Sequence, residues 1–309
     1  MTMIEKMTKA NQENINGILL VNKPPGLTSN AVLQQVKRLY RAKKAGHTGS
    51  LDPMATGMLP VCFGEATKFC QYLLDADKCY EVTGLLGAKT NTGDATGEVI
   101  AHKEAFSVSP EELNMVLTEF LGNIQQIPSM FSALKHQGTP LYKYARAGID
   151  IERKARNISI HDLQLNQFDG KQFSLTVTCS KGTYIRNLIE DIGEKLGTFA
   201  HVTRLHRLYT AGFDKEPMFT IDNLQGQSED QLLSCLLPLD RAVNHLPRLT
   251  LNQDEVQALR QGKKLSDIKS QIISGRVRLY ENDVQFIGLG ELEDTGLLSV
   301  ARLLSHGSN

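Results

Sequence analysis

Gly46-His47-Thr48-Gly49-Ser50-Leu51-Asp52-Pro53-Met54-Ala55-Thr56-Gly57 is the stretch of the chain richest in residues that bend the backbone around a charge. Its glycines let the main chain adopt φ values closed to other residues and let a substrate come close. The stretch does not end in Gly-Lys-Ser/Thr and has no GxGxxG spacing, so it is neither a P-loop nor a dinucleotide fingerprint. Its one acid is Asp52. An isolated Asp-Pro is ordinarily a turn, so any chemistry at Asp52 has to be argued from its surroundings.

On the N-terminal side, Gly17 to Asn22 reads as a short buried strand and Lys23-Pro24-Pro25-Gly26 as a turn. Thr28 or Ser29 can cap a helix with Val32, Leu33, Val36, Leu39 and Tyr40 on one face. On the other side, Tyr80 to Leu86 reads as a strand, Asn91 to Gly97 as a turn and Glu98 to Ala101 as a second strand. Ser109-Pro110-Glu111-Glu112 is a helix start with a Ser cap, Pro at N1 and Glu at N3. That helix is expected to run to about Leu121, with Gly122 as its stop. Pro128 to Asp150 has weak periodicity and reads as an insertion. Phe173, Leu175, Val177 and Cys179 alternate as in a half-buried strand. Lys181-Gly182 then turns into a helix bearing Tyr184, Ile185, Leu188, Ile189 and Ile192, which ends at Gly197.

Leu237 to Pro247 reads as a boundary. Beyond it come a helix capped by Asn252 with Glu255, closed by Gly262, and strand-like runs at Arg276–Tyr280, Val284–Leu289 and Leu297–Leu303. Long strands with intervening helices and a compact β tail indicate an α+β protein. The expected division is a main domain over 1–246, with an insertion at about 128–150, and a small β-rich domain over 247–309.

The 309 residues carry 34 basic and 34 acidic side chains, so total charge says nothing about a partner. Local charge does: Lys37, Arg38, Arg41, Lys43 and Lys44 form one basic set, and Lys135, Lys143, Arg146, Arg153, Lys154 and Arg156 another. Either could be solvated surface, and the first also suits a helix C-terminus; phosphate binding needs only such a local surface. The 5 Cys are odd in number and lack CxxC spacing, which argues against a disulfide framework or zinc site and fits a reducing cytoplasm. Neither a signal-peptide core nor an apolar run of about 20 residues is present, so no membrane association is expected. Without GxSxG, HExxH or a magnesium-like carboxylate cluster, metal-dependent or nucleotide-driven catalysis is not expected. A single Asp in a Gly-rich loop suits covalent catalysis by a carboxylate without a cofactor.

The loop, continued by Met58-Leu59-Pro60, resembles the signature loop of the TruB family of pseudouridine synthases. The likeness extends in order along nearly the whole chain: Gly17-Ile18-Leu19-Leu20-Val21-Asn22-Lys23-Pro24-Pro25-Gly26-Leu27-Thr28-Ser29, Gly64-Glu65-Ala66-Thr67-Lys68, Lys78-Cys79-Tyr80-Glu81-Val82, Thr90-Asn91-Thr92-Gly93-Asp94, the Ile127–Lys135 segment, and Lys181-Gly182-Thr183-Tyr184-Ile185-Arg186. Phe286-Ile287-Gly288-Leu289-Gly290-Glu291 is similar to part of a PUA domain.

The resemblance implies a mixed, largely antiparallel central sheet flanked by helices, with a PUA-like C-terminal domain. It implies isomerisation of the uridine at position 55, in the T arm of tRNA, to pseudouridine, with no cofactor and no metal. Asp52 matches the family nucleophile, Arg186 the arginine that pairs with it, and Tyr80 the tyrosine that stacks on the flipped base. His47 matches the residue that fills the vacated space, and Leu205 an apolar wall of the pocket. Lys23 supports the loop or the RNA backbone, while Lys135, Lys143 and Arg146 are candidates for phosphate contacts. The partner expected is the tRNA T stem-loop, with no obligatory protein partner, and the protein is expected to be a monomer. Leu205-His206-Arg207 departs from the pattern, having His where a second Arg is common. Two rivals stay open: a guide-RNA-dependent relative of dyskerin, and an RNA-binding or RNA-folding factor without catalysis.

Overall fold

Ile18, Leu19, Leu20 and Val21 are all sealed from solvent, so the first strand, β1 (Gly17–Lys23), is covered on both faces as its unbroken apolar run requires. The computed structural model describes residues 13–268 and 270–305. After β1 comes α1 (Ser29–Leu39), capped by Thr28, whose hydroxyl accepts from Ala31 N at 3.1 Å. The Gly-rich stretch is not loop throughout. Its ends are drawn into β2 (Ala45–His47) and β3 (Thr56–Phe63), because Ala45 to His47 pair with Phe63 to Val61. The catalytic candidate is therefore left on a short crossing at 48–55.

β4 (Lys78–Leu86) carries Tyr80, and β5 (Ala88–Thr90) with β6 (Val99–His102) flank the expected turn. The Ser109 capping box closes in both directions, with Glu112 N donating to Ser109 Oγ at 3.1 Å and Ser109 N to Glu112 Oε2 at 3.0 Å. The helix it starts, α2 (Pro110–Thr118), stops short of Leu121, and Gly122 instead opens β7 (Gly122–Gln126). The insertion holds a two-strand ribbon, β8 (Lys135–His136) and β9 (Thr139–Pro140), and a short helix, α3 (Leu141–Arg146). Then come β10 (Arg156–Phe168), β11 (Gln172–Cys179), α4 (Ile185–Lys195) and β12 (Ala200–Thr210).

The main sheet has 8 strands in the order β1-β3-β12-β4-β11-β10-β7, with β2 beside β3. Within it only the β12–β3 pairing is parallel. Leu188, Ile189 and Ile192 of α4 bury one face against Val82, Leu175, Val177 and Val202, which is why that helix shows a single apolar stripe. Phe173, Leu175, Val177 and Cys179 are all buried, as their alternation predicts.

A second sheet of 4 strands comprises β13 (Arg248–Leu251), β14 (Gly275–Glu281), β15 (Gln285–Leu292) and β16 (Leu298–Leu303), with α5 (Gln253–Arg260) beside it. Leu249, Val256, Val277, Leu279 and Ile287 form its own core. It meets the main unit where Tyr280, Phe286 and Leu289 cluster with Ile18, Leu20 and Phe69. The architecture is α+β, with a mixed central sheet and a β-rich C-terminal part; residues 306–309 of the expected 247–309 domain lie outside the described residues.

Candidate active site

The short crossing gains its shape from what ties it down. Ser29, at the start of α1, accepts from Leu51 N at 2.8 Å and donates to Leu51 O at 3.1 Å. Lys23 Nζ donates to Pro24 O at 2.8 Å and to Pro53 O at 3.1 Å, and Gly26 N reaches Pro53 O at 2.8 Å. From the opposite side, Arg207 Nη2 donates to Gly49 O at 3.2 Å. Gly57 closes the crossing at φ 99°, where a Cβ would stand 2.2 Å from Arg207 O. No side chain fits that approach.

Arg186 occupies the first turn of α4. The turn before it is held by Gln126, whose side chain donates to Tyr184 O at 3.1 Å and accepts from Tyr184 N at 2.8 Å. Arg186 is buried, and its Nε lies 2.9 Å from Asp52 Oδ2. Its Nη1 donates to Thr92 O at 2.5 Å and its Nη2 to Phe131 O at 2.9 Å. A second carboxylate stands behind it, Asp94, with Oδ2 3.9 Å from Nη1. Asp94 is fixed by Thr92 Oγ1 at 2.9 Å, Thr96 N at 2.9 Å and Thr96 Oγ1 at 2.6 Å.

The electrostatics follow from this crowding. Burial holds the Asp52 carboxyl above its ordinary value; Arg186 acts against that, Asp94 with it, and Lys23 against it. Its side chain still keeps 38% of its surface open, so a ligand can reach it. Burial pulls the Lys23 ammonium down to about 8, with Asp52 opposing. The Tyr80 phenol is pushed up by burial, and Arg207 works in the other direction.

Asp52, Tyr80, Arg186 and Leu205 line one cavity of about 340 Å³, together with Lys78 and Arg207. That volume is within the roughly 300–1,000 Å³ of small-molecule sites. A larger cleft of about 960 Å³ lies between the insertion and α4 and shares Phe131 with the first. It is lined by Glu190, Asp191 and Glu194 and contains none of Asp52, Tyr80 and Arg207.

The structure thus brings Asp52, Tyr80, Arg186 and Leu205 to one place. Lys23 lies beneath the crossing, sealed from solvent. His47, on β2, is half-buried, and its Nδ1 has no hydrogen-bond partner among the described residues; burial and then Arg207 lower its pKa. Lys135, Lys143 and Arg146 are exposed on the insertion, with the Arg146 guanidinium 5.5 Å from the centre of the Tyr142 ring. Reading the sequence did not single out Asp94, Gln126, Ser29 or Arg207 as site residues. Asp94, Ser29 and Arg207 fall within quoted stretches, but Gln126 has no local signal, because its contact with Tyr184 exists only once β7 has paired in the fold.

Three family models match consecutive parts of the chain: the TruB family pseudouridylate synthase N-terminal domain at 37–185, the tRNA pseudouridylate synthase B C-terminal domain at 186–244, and the pseudouridine synthase II TruB C-terminal domain at 247–304. The chain is similar in fold to a chain of a solved H/ACA ribonucleoprotein bound to a substrate RNA containing 2′-deoxyuridine. That match has a TM-score of 0.73 and 24% identity and covers 99% of this chain and 89% of the other. A Cbf5-Nop10-Gar1 complex gives a TM-score of 0.70 at 25% identity, over 98% of this chain and 87% of that one. The fold is that of a pseudouridine synthase. The tRNA pseudouridine synthase B of Legionella pneumophila (strain Corby) is 58% identical over 99% of both chains. That of Pasteurella multocida is 47% identical over 96% of this chain and 97% of its own. The chain belongs to the TruB family.

Proposed function

We propose that this protein is a tRNA pseudouridine synthase that converts the uridine at position 55 in the T arm, with Asp52 as nucleophile. The observation that carries the reading is the Asp52–Arg186 pair, 2.9 Å apart in the cavity that Tyr80 also lines. A uridine within a folded arm must leave the stack to reach such a cavity, at a cost of about a few kcal/mol. Tyr80 is proposed to stack on the extruded base and Leu205 to wall it, a reading supported by their shared cavity with Asp52. Asp52 then attacks C1′ or C6, or promotes glycal formation. In each case the N1–C1′ bond breaks, the base turns, C5 bonds to C1′, the C5 proton leaves and N1 gains one. Atoms and electrons balance without a redox partner. Arg186 orients the carboxylate and favours its ionised form.

The relatives named tRNA pseudouridine synthase B share 47–60% identity with the chain, against 24–25% for the ribonucleoprotein chains, which favours direct action on tRNA over dependence on a guide. Lys135, Lys143 and Arg146 are proposed to grip phosphates, His47 to occupy the vacated stack, and Lys23 to hold the loop beneath the substrate. We also propose a division into a catalytic domain over 1–246 and a PUA-like RNA-binding domain over 247–309, acting as a cytoplasmic monomer with no obligatory protein partner.

The test is pseudouridine formation on an unmodified tRNA transcript, without partner protein, by wild type and Asp52→Asn. Product at position 55 from wild type alone, with RNA binding retained by the variant, supports the reading. If the variant loses RNA binding and folding too, Asp52 is structural. Tight binding without product from wild type would point to the guide-dependent or non-catalytic alternatives.

A further inference from the structure

Arg207 is 1% exposed, one of the largest side chains wholly inside the protein. A buried guanidinium is costly unless paired. Among the described residues it makes no ion pair with a carboxylate. It donates instead to two main-chain carbonyls, Nε to Met58 O at 2.6 Å and Nη2 to Gly49 O at 3.2 Å. Met58 follows the Asp52 crossing and Gly49 precedes Asp52, so one side chain grips the crossing from both ends.

The sheet register supplies the second half of the argument. On β12, Arg207 stands opposite Tyr80 of β4 and opposite Gly57 of β3. Side chains of directly opposed residues share a face at close range. The guanidinium accordingly interacts with the Tyr80 hydroxyl, and both side chains line the cavity that holds Asp52. The adjacent Lys78 ammonium, tied to the carbonyls of Leu73 at 3.1 Å and Leu74 at 2.7 Å, carries the same sign of charge and does not neutralise the guanidinium.

We propose that Arg207 is a positioning residue for the isomerisation, its guanidinium setting the Asp52 crossing and the Tyr80 hydroxyl at a fixed separation. This rests on the function proposed above. A cation retained without a carboxylate partner, where an apolar residue could fill the space, has a use in the site rather than in stability. His206 next to it faces the opposite side of the sheet, with Nδ1 2.7 Å from Thr56 Oγ1, and does not share this role.

The test measures single-turnover pseudouridine formation, tRNA dissociation constant and melting temperature for wild type, Arg207→Gln and Arg207→Lys. Arg207→Gln is expected to lower the single-turnover rate by about a hundredfold, the scale of losing one positioned donor, with the dissociation constant within about threefold of wild type. Arg207→Lys keeps the charge but cannot span both carbonyls, and should recover at least about tenfold of that loss. A Gln variant as fast as wild type overturns the proposal. So does parallel loss of binding and rate, no recovery with Lys, or failure of both variants to fold, any of which makes Arg207 an element of the fold alone. If wild type itself forms no pseudouridine while binding tRNA, the proposed function fails and this inference with it.

Discussion

The Nε of Arg186 lies 2.9 Å from Oδ2 of Asp52, on a guanidinium whose other nitrogens already donate to Thr92 O at 2.5 Å and Phe131 O at 2.9 Å. Four separate segments meet on this one side chain: the Asp52 crossing, the turn after β5, the root of the insertion, and α4. Planar donors in a fixed fork make that possible, and a point-charge ammonium could not replace it. The nucleophile candidate is thus oriented by the same group that anchors the segment carrying Lys135, Lys143 and Arg146.

Arg186→Lys therefore separates charge from geometry. The rate of pseudouridine formation should fall by about 10²–10³-fold although a cation remains. The orphaned carbonyls should lower stability by about 1–3 kcal/mol. Single-turnover kinetics and urea unfolding check both; a variant at wild-type rate would mean that charge alone suffices.

Gly57→Ala tests the tightness of the crossing. With φ at 99° and a Cβ site 2.2 Å from Arg207 O, alanine must displace β12 or the crossing itself. A loss of about 1–3 kcal/mol in unfolding free energy is expected. Activity should drop with it, because Arg207 is the residue pushed. Unchanged stability would show that the β3–β12 pairing yields freely.

The acids of α4 set a pH dependence. Burial lifts Glu190 to about 7 and Asp191 to about 6; Lys89 opposes the rise at both, while Glu194 adds to it at both. Carboxyls with raised folded-state pKa values favour the fold most when protonated, and that stability is lost as pH rises through about 6 and 7. The double variant Glu190→Gln, Asp191→Asn should melt close to wild type at pH 4 and higher than wild type at pH 8. A melting difference independent of pH would show that neither group titrates in this window.

Lys135, Lys143 and Arg146 are exposed on the insertion. If each meets a phosphate, the triple alanine variant should bind tRNA more weakly. The dependence of log affinity on log salt should flatten by about 0.7–0.9 for each phosphate no longer neutralised. The single-turnover rate at saturating enzyme should stay within a few-fold. An unaltered salt slope would place the RNA backbone elsewhere.

Much of the fold was legible in local pattern. The alternation at 173–179, the Ser109 and Asn252 capping boxes and the single stripe of α4 all appear where their chemistry predicts. β10, β12 and β13 were not legible. β10 is polar or exposed over much of its length because it lies near a sheet edge, and β12 interleaves Arg204, His206 and Arg207 with Leu205. Such strands are specified by the partners they pair with, not by their own period.

By itself the sequence determined the kind of protein: an Asp in a glycine-rich stretch and a chain-long order of motifs resembling one family. The resemblance had paired Asp52 with Arg186, and tertiary structure alone decided the geometry in which such residues meet. Asp52 and Arg186 are brought to 2.9 Å, and Tyr80 and Arg207 into register, by β-strand pairing across more than a hundred residues of chain. The physical reason is that turn chemistry and capping are local, whereas the distance between two charges, and the burial that shifts their pKa values, exist only after the sheet has closed around them.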